Sequence, residues 1–264
     1  MKLTDPFTLL YKYRTLLWQT TRNDIKIRFA GSVLGILWNF FYPLLLLGAY
    51  ALVYLFIFKV KFQLFDSNEY VAFIFCGLIP FLGFAEALSL GVGSVVSNAN
   101  LMKNTLFPIE LVPAKAVLAS QSTQVTGMFL LLIVLALLGK WTIFMPLIII
   151  IWVLQILFSM GVIWIISSIN VFVRDLQSIV SVVVLLLMLV SPIAYTEDMI
   201  PENLRPFLAF NPVYYLTVTY QSVLMLGKLP STDKLITLVV MSILTFIIGY
   251  WFFTKMKRVF TDNV

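Results

Sequence analysis

Apolar residues run along this chain in long blocks separated by short polar breaks, and that alternation sets the first expectation. The blocks hold about 20 residues, enough to cross a hydrocarbon core of about 30 Å at about 1.5 Å per residue, so each reads as a membrane span. Six are predicted, near Leu34–Phe58, Tyr70–Val96, Ala116–Leu138, Ile143–Ile169, Ile179–Tyr195 and Leu235–Phe253. With no water in the lipid core, backbone groups must be satisfied within each segment, which predicts helices. The breaks run from Lys59 to Asn68, from Asn98 to Pro113, over Gly139-Lys140 and Arg174-Asp175, and from Thr196 to Lys234.

Two segments depart from the pattern. Val213–Leu226 is apolar but too short to cross, and it follows Asn211-Pro212, so it reads as a re-entrant or interfacial helix. A shorter helix is expected ahead of it, from about Pro201 to Phe210, because proline suits a first helical turn and the helix should stop before Pro212. At the other end, Leu9, Leu10, Tyr13, Leu16 and Leu17 recur three and four apart, with Lys12, Arg14 and Gln19 elsewhere. That spacing predicts an amphipathic helix at the membrane interface. A second amphipathic step, Asp24 to Ala30, sets Lys26 and Arg28 among Ile25, Ile27 and Phe29 before Gly31 permits a turn.

The expected fold is therefore an all-α membrane protein made of a single transmembrane domain over residues 1–264. It comprises a cytoplasmic amphipathic segment (1–33), spans one to five (34–195), an extracytoplasmic re-entrant segment (196–234), and span six with its tail (235–264).

Composition agrees: 61% of residues are hydrophobic and 11% charged, against about 25% charged in soluble domains. Charge also orients the chain. With the N-terminus inside, Lys2, Lys12, Arg14, Arg22, Lys26, Arg28, Lys103, Lys115, Arg174, Lys255, Lys257 and Arg258 are cytoplasmic, while Lys59, Lys61, Lys140, Arg205, Lys228 and Lys234 are outside. This asymmetry puts both termini in the cytoplasm, which demands an even number of crossings. Anionic headgroups on that face account for the net charge of +6 without nucleic acid. No apolar stretch with a small-residue cleavage site precedes the first block, so no cleaved signal peptide is expected.

Candidate chemistry is sparse. There is no histidine, no nucleophile with a visible base, and no paired carboxylates, so catalysis and a metal site are not expected. The lone Cys76 lies within an apolar block and reads as packing. No glycine-rich loop ends in Gly-Lys-Ser or Gly-Lys-Thr: Gly139-Lys140 leads to Trp141 and Gly227-Lys228 to Leu229. The chain lacks the phosphate cradle that ATP hydrolysis requires.

More specific than hydropathy is the run from Arg22 to Trp38, RNDIKIRFAGSVLGILW, followed by Pro43-Leu44. It resembles the permease subunits of bacterial polysaccharide ABC exporters, within the type-2 ABC exporter class. Asn98 to Lys103, Phe107-Pro108, Pro113, Arg174-Asp175-Leu176 and Asn211-Pro212 extend the resemblance along the chain. It implies a homodimer with its channel between the copies, driven by two copies of a separate cytoplasmic ATPase that binds the ATP and Mg. The substrate it implies is a lipid-linked polysaccharide of O-antigen, capsule or teichoic-acid type. Exporters of a small lipid or drug share the class and stay open, as does a secondary transporter without ATPase.

The resemblance places Lys26, Arg28, Ser32, Leu34, Gly35 and Trp38 near the cytoplasmic entrance, where the diphosphate of the lipid carrier docks. Basic side chains suit phosphate oxygens through charge-assisted hydrogen bonds, and Gly35 would permit close backbone approach. Membrane phosphates and an interfacial tryptophan explain the same residues equally plainly. Tyr42, Tyr50 and Tyr54 are spaced to line a path on which sugar faces slide, and Glu86 lies well inside a span. A buried carboxylate there reads either as a hydrogen-bonded structural group or as a substrate contact. At the outer exit Tyr195, Asn211, Pro212, Tyr214 and Tyr215 are read as a gate, with an aromatic belt as the alternative. Asn100, Lys103, Arg174 and Asp175 occupy the cytoplasmic turns that the resemblance assigns to coupling with the ATPase.

Overall fold

The computed structural model describes residues 5–53, 65–98, 107–203 and 205–262, with Asp198, Thr261 and Asp262 as backbone only. Among the described residues all regular structure is helical: α1 (Asp5–Lys12), α2 (Arg14–Arg28), α3 (Trp38–Ala51), α4 (Ser67–Val92), α5 (Ser94–Ser97), α6 (Leu111–Leu137), α7 (Ile148–Asn170), α8 (Leu176–Val190), α9 (Arg205–Leu208), α10 (Pro212–Leu224) and α11 (Thr232–Met256). Short 3₁₀ turns precede α3 and α7 and follow α11.

Among the described residues four segments are long and apolar enough to cross a membrane: Ser67–Val92, Leu111–Leu137, Met145–Asn170 and Thr232–Phe260. They correspond to predicted spans two, three, four and six. The other two are shorter apolar helices, Gly35–Ala51 and Leu176–Val190. The second part of the predicted first span, Tyr54 to Phe58, lies outside the described residues. The predicted fifth span runs too far: Pro192 forces Ser191 into extended backbone (φ −77°, ψ 142°) and ends α8 at Val190. At 15 residues α8 is about 22 Å long.

Between α8 and α11 the expected short helix is reduced to α9, with Pro201 outside it and Pro206 in its first turn. The element after Asn211-Pro212 forms as expected. Asn211 caps it by accepting from the Val213 N–H at 2.9 Å, and Pro212 takes the first helical position. Val213, Leu216, Tyr220, Val223 and Leu224 are buried, so α10 is inserted among its neighbours and not laid across them.

α4 is the central helix, buried along most of its length against α6, α7, α8 and α10. α7 and α11 pack backbone to backbone, because a methyl group at Gly249 would fall on the Gly161 main chain. Small residues allow this approach where no hydrophobic driving force separates helix from lipid. Beside that contact, the Trp164 ring lies tilted against Phe246 at 5.2 Å and donates through Nε1 to the Glu110 carbonyl at 3.0 Å.

The amphipathic segment belongs to the bundle. Leu17 and Thr21 of α2 are buried, and Phe7 of α1 stacks on Phe246 at 4.9 Å. Asp24 binds Lys115 at 2.9 Å, and Glu110 is paired with Lys257. These contacts gather α2, the start of α6 and the end of α11 at one end of the bundle. At the opposite end Glu69 binds Lys140 at 2.8 Å, and Glu197 binds Lys234 at 2.6 Å. Between the ends α8 leaves Val182, Leu185, Leu186 and Leu189 exposed, an apolar face suited to lipid or to another protein.

Candidate functional site

The end of α2 and the start of α3 meet the middle of α4 across an open cleft of about 570 Å³. Two glycines shape the turn between them, with Gly31 at φ +79° and Gly35 at φ +53°, both in the left-handed region that side chains disfavour. No atom lies within 4 Å of the position a Cβ on Gly35 would take. Here that glycine serves the turn, not close packing.

Arg28, Trp38, Asn39 and Tyr42 line one side of the cleft, Glu86 and Thr123 the other, and Val184 and Met188 of α8 complete it. The guanidinium of Arg28 is ion-paired with the Glu86 carboxylate, so residues read as an entrance group and a solitary intramembrane acid form one unit. Arg28 also lies over the Phe29 ring at 5.5 Å. The Glu86 side chain is 16% exposed and that of Arg28 38%, so the acid is embedded and the base reaches it from the rim. Thr123 donates to the buried Asn39 side chain at 3.4 Å. One cation, one carboxylate, the neutral polar side chains of Asn39, Ser89 and Thr123 and an aromatic wall make a cleft fitted to an anionic head on an apolar body.

The other predicted entrance residues stand outside the cleft. Lys26, Ser32 and Leu34 are exposed, and Ser32 accepts the Gly35 N–H at 3.3 Å. Among the proposed channel tyrosines, Tyr42 lines the cleft, whereas Tyr50 is turned edge-on to Phe75 of α4 at 6.0 Å. Tyr54, Asn100 and Lys103 lie outside the described residues. Arg174 and Asp175 are exposed between α7 and α8, and among the described residues neither forms an ion pair.

The five gate candidates converge at the other end. Asn211 donates to Ser191 Oγ at 2.9 Å, Tyr195 to the Val190 carbonyl at 2.5 Å, and Tyr215 to the Ala209 carbonyl at 3.1 Å. Tyr214 donates to Glu197, whose carboxylate also holds Lys234. Burial, and then the Glu197 carboxylate, push the Tyr214 phenol well above its ordinary value.

Hydropathy did not single out a buried amide cluster between these sites. Gln155 donates to Gln124 Oε1 and to the Pro80 carbonyl, and accepts from Gln124 and from the Tyr220 hydroxyl, each at 2.9 Å. Gln221 donates to the Pro192 and Ile193 carbonyls at 3.2 Å. Glutamine within an apolar block was the available signal, since an amide inside lipid needs partners.

Polar clusters buried between membrane-length helices, a cleft at one end and an inserted short helix at the other are the arrangement of a multi-pass membrane domain. The chain belongs to the ABC-2 type transporter family, whose pattern matches residues 15–225. It is similar to an O-antigen export system permease protein of Klebsiella pneumoniae (31% identical, covering 99% of each chain) and to one of Myxococcus xanthus (29%, covering 97% of each). It is also similar to a polysialic acid transport protein of Escherichia coli, at 25% identity over 86% of this chain and 87% of that one. It is thus an ABC transporter permease and a multi-pass protein of the cytoplasmic membrane.

Proposed function

We propose that this chain is the membrane half of an ATP-driven exporter of lipid-linked polysaccharide. Two copies enclose the path, and two copies of a separate ATPase, carrying the ATP and Mg, drive it. The observation that carries the reading is similarity over essentially the whole chain to proteins named for O-antigen export. On this reading the chain crosses six times, α3 and α8 being the two short crossings, and both termini are cytoplasmic. Arg28 receives the diphosphate head with Trp38 and Tyr42 beside it, and α9 and α10 close the outer mouth. Arg174 and Asp175 meet the ATPase.

Arg174 and Asp175, exposed and without an ion pair among the described residues, the apolar face of α8 and the grouping of both terminal segments at one end support this arrangement. A secondary transporter would draw on an intramembrane acid free to exchange protons, and the pairing of Glu86 with Arg28 favours the exporter reading over it. Loss of the gene should leave polymer on the cytoplasmic leaflet, which surface labelling before and after cell opening would detect. Arg28→Ala should cut export at least ~10-fold at unchanged assembly with the ATPase, the scale of a lost charge-assisted contact. Normal export by that variant refutes the head-group assignment.

A further inference from the structure

Among the described residues, Arg28 and Glu86 are the only charged side chains lining the inner cleft. As the structure stands, the cleft is electrically closed: its single anion seat is filled by a carboxylate of the same chain. The two partners are held differently. Arg28 is the last residue of α2, beside a glycine turn, whereas Glu86 sits within the buried central helix. The glutamate is therefore the fixed partner and the arginine the one that can turn toward a ligand.

We propose that Glu86 is the charge-selectivity element of this cleft, an internal counterion that yields Arg28 to a diphosphate but not to the single phosphodiester of ordinary membrane lipid. This rests on the head-group reading above. On the head-group reading the cleft opens to lipid, where anionic headgroups far outnumber any carrier and would occupy an unguarded guanidinium. A tethered carboxylate competes at high effective concentration. A phosphodiester offers one negative charge and merely exchanges one ion pair for another. A diphosphate offers two linked phosphates. One replaces Glu86 on the arginine fork, and the other accepts from the Asn39 amide N–H, the Asn39 oxygen being held by Thr123. The apolar wall of Trp38, Leu82, Val184 and Met188 receives the hydrocarbon.

The test uses the complete transporter with its ATPase subunits, nucleotide-free, in nanodiscs of phosphatidylcholine alone or with one part in three phosphatidylglycerol. The probe is a fluorescent polyprenyl diphosphate, followed by anisotropy. Wild type should bind it within about twofold equally in both lipids. Glu86→Gln should bind ~10-fold more tightly in phosphatidylcholine and lose that gain when phosphatidylglycerol is present, the size of one partly exposed charge interaction. A merely structural ion pair predicts instead that Glu86→Gln and Arg28→Gln weaken binding alike. Unchanged or weaker binding by Glu86→Gln, indifference of that variant to phosphatidylglycerol, or its failure to assemble overturns the proposal, since Arg28 is exposed enough to be solvated unaided. Should Arg28→Gln keep full diphosphate affinity, the head-group reading itself falls, whereas loss in that variant with no gain in Glu86→Gln refutes the selectivity role alone.

Discussion

Replacing Gln155 by leucine tests whether the buried amide cluster holds α10 in the bundle. Gln155 is fully buried and makes four hydrogen bonds, to Gln124 twice, to the Pro80 carbonyl and to Tyr220, tying α7 to α4, α6 and α10. Interhelical hydrogen bonds in membranes average about 0.6 kcal/mol and reach about 1.7, which gives about 2–3 kcal/mol for the set. Leucine fills nearly the same space, so little cavity term is added, but Gln124 and Tyr220 lose their main partner in a region without water. Such a loss corresponds to an apparent melting temperature lower by roughly 5–10 °C in purified protein followed by size-exclusion after heating. Tyr220→Phe removes a single donor and should cost about 1 kcal/mol. Because the two substitutions share a hydrogen bond, the double variant should be less destabilised than the singles combined, by at least about 0.6 kcal/mol. A Gln155→Leu protein that melts with wild type, or strict additivity in the cycle, refutes the assignment.

Three further outcomes follow from the packing and the end clusters. Gly249→Val places two methyl groups against the Gly161 backbone, which cannot step aside as a side chain can, so α7 and α11 must separate. The expected loss is at least about 3 kcal/mol, read as poor recovery of monodisperse protein, while Gly249→Ala should fall between it and wild type. Lys257→Met strands the Glu110 carboxylate, whose side chain is 5% exposed. Full burial of both partners would cost about 3–5 kcal/mol, but Lys257 is about one-third exposed, so about 1–2 kcal/mol is expected in the same heating assay. For Tyr214, a phenol raised above its ordinary value adds stability that is complete below pH 10 and is lost as pH rises toward the folded value. Melting measured from pH 8 to 11 should therefore fall at the alkaline end in wild type, and less steeply in Tyr214→Phe.

What the sequence made legible follows from the range of the physics involved. Span length and composition are local properties, so α4, α6, α7 and α11 were predictable to within a few residues. The cap of α10 was equally local, resting on Asn211-Pro212. The end of α8 was misplaced because hydropathy continues through Ile193 and Ala194 while proline geometry does not. Hidden altogether were pairings across distance, such as Arg28 with Glu86, Glu110 with Lys257, and Gln155 with Tyr220. Each residue was visible as a polar group in an expensive place, but its partner is fixed by how helices pack. Tyr42 and Tyr50 show the converse: eight residues apart on a helix, they shared a face only loosely, and α4 meets the first at the cleft and the second at Phe75.

The ion pairs at the end shared by both terminal segments also bear on how movement there reaches the cleft. Asp24 and Arg28 lie one helical turn apart on α2, so they project from the same side of that helix. Asp24 is held by Lys115 near the start of α6, which also reaches Asn98 at 3.4 Å, and Arg28 is held by Glu86 of α4. Besides the packing of Leu17 and Thr21, α2 therefore has two ion-paired attachments, one beside the polar break that the proposed ATPase acts on and one at the cleft. Displacing the start of α6 displaces Asp24, and a helix cannot move one turn without moving the next. The weaker attachment must then give way. Arg28 is the more exposed partner of its pair and sits at the last position of α2, whereas Lys115 is nearly buried, with a side chain 10% exposed. Under the proposed function, force on the cytoplasmic turns would open the Arg28–Glu86 pair before the Asp24–Lys115 pair, freeing the anion seat when the transporter is driven.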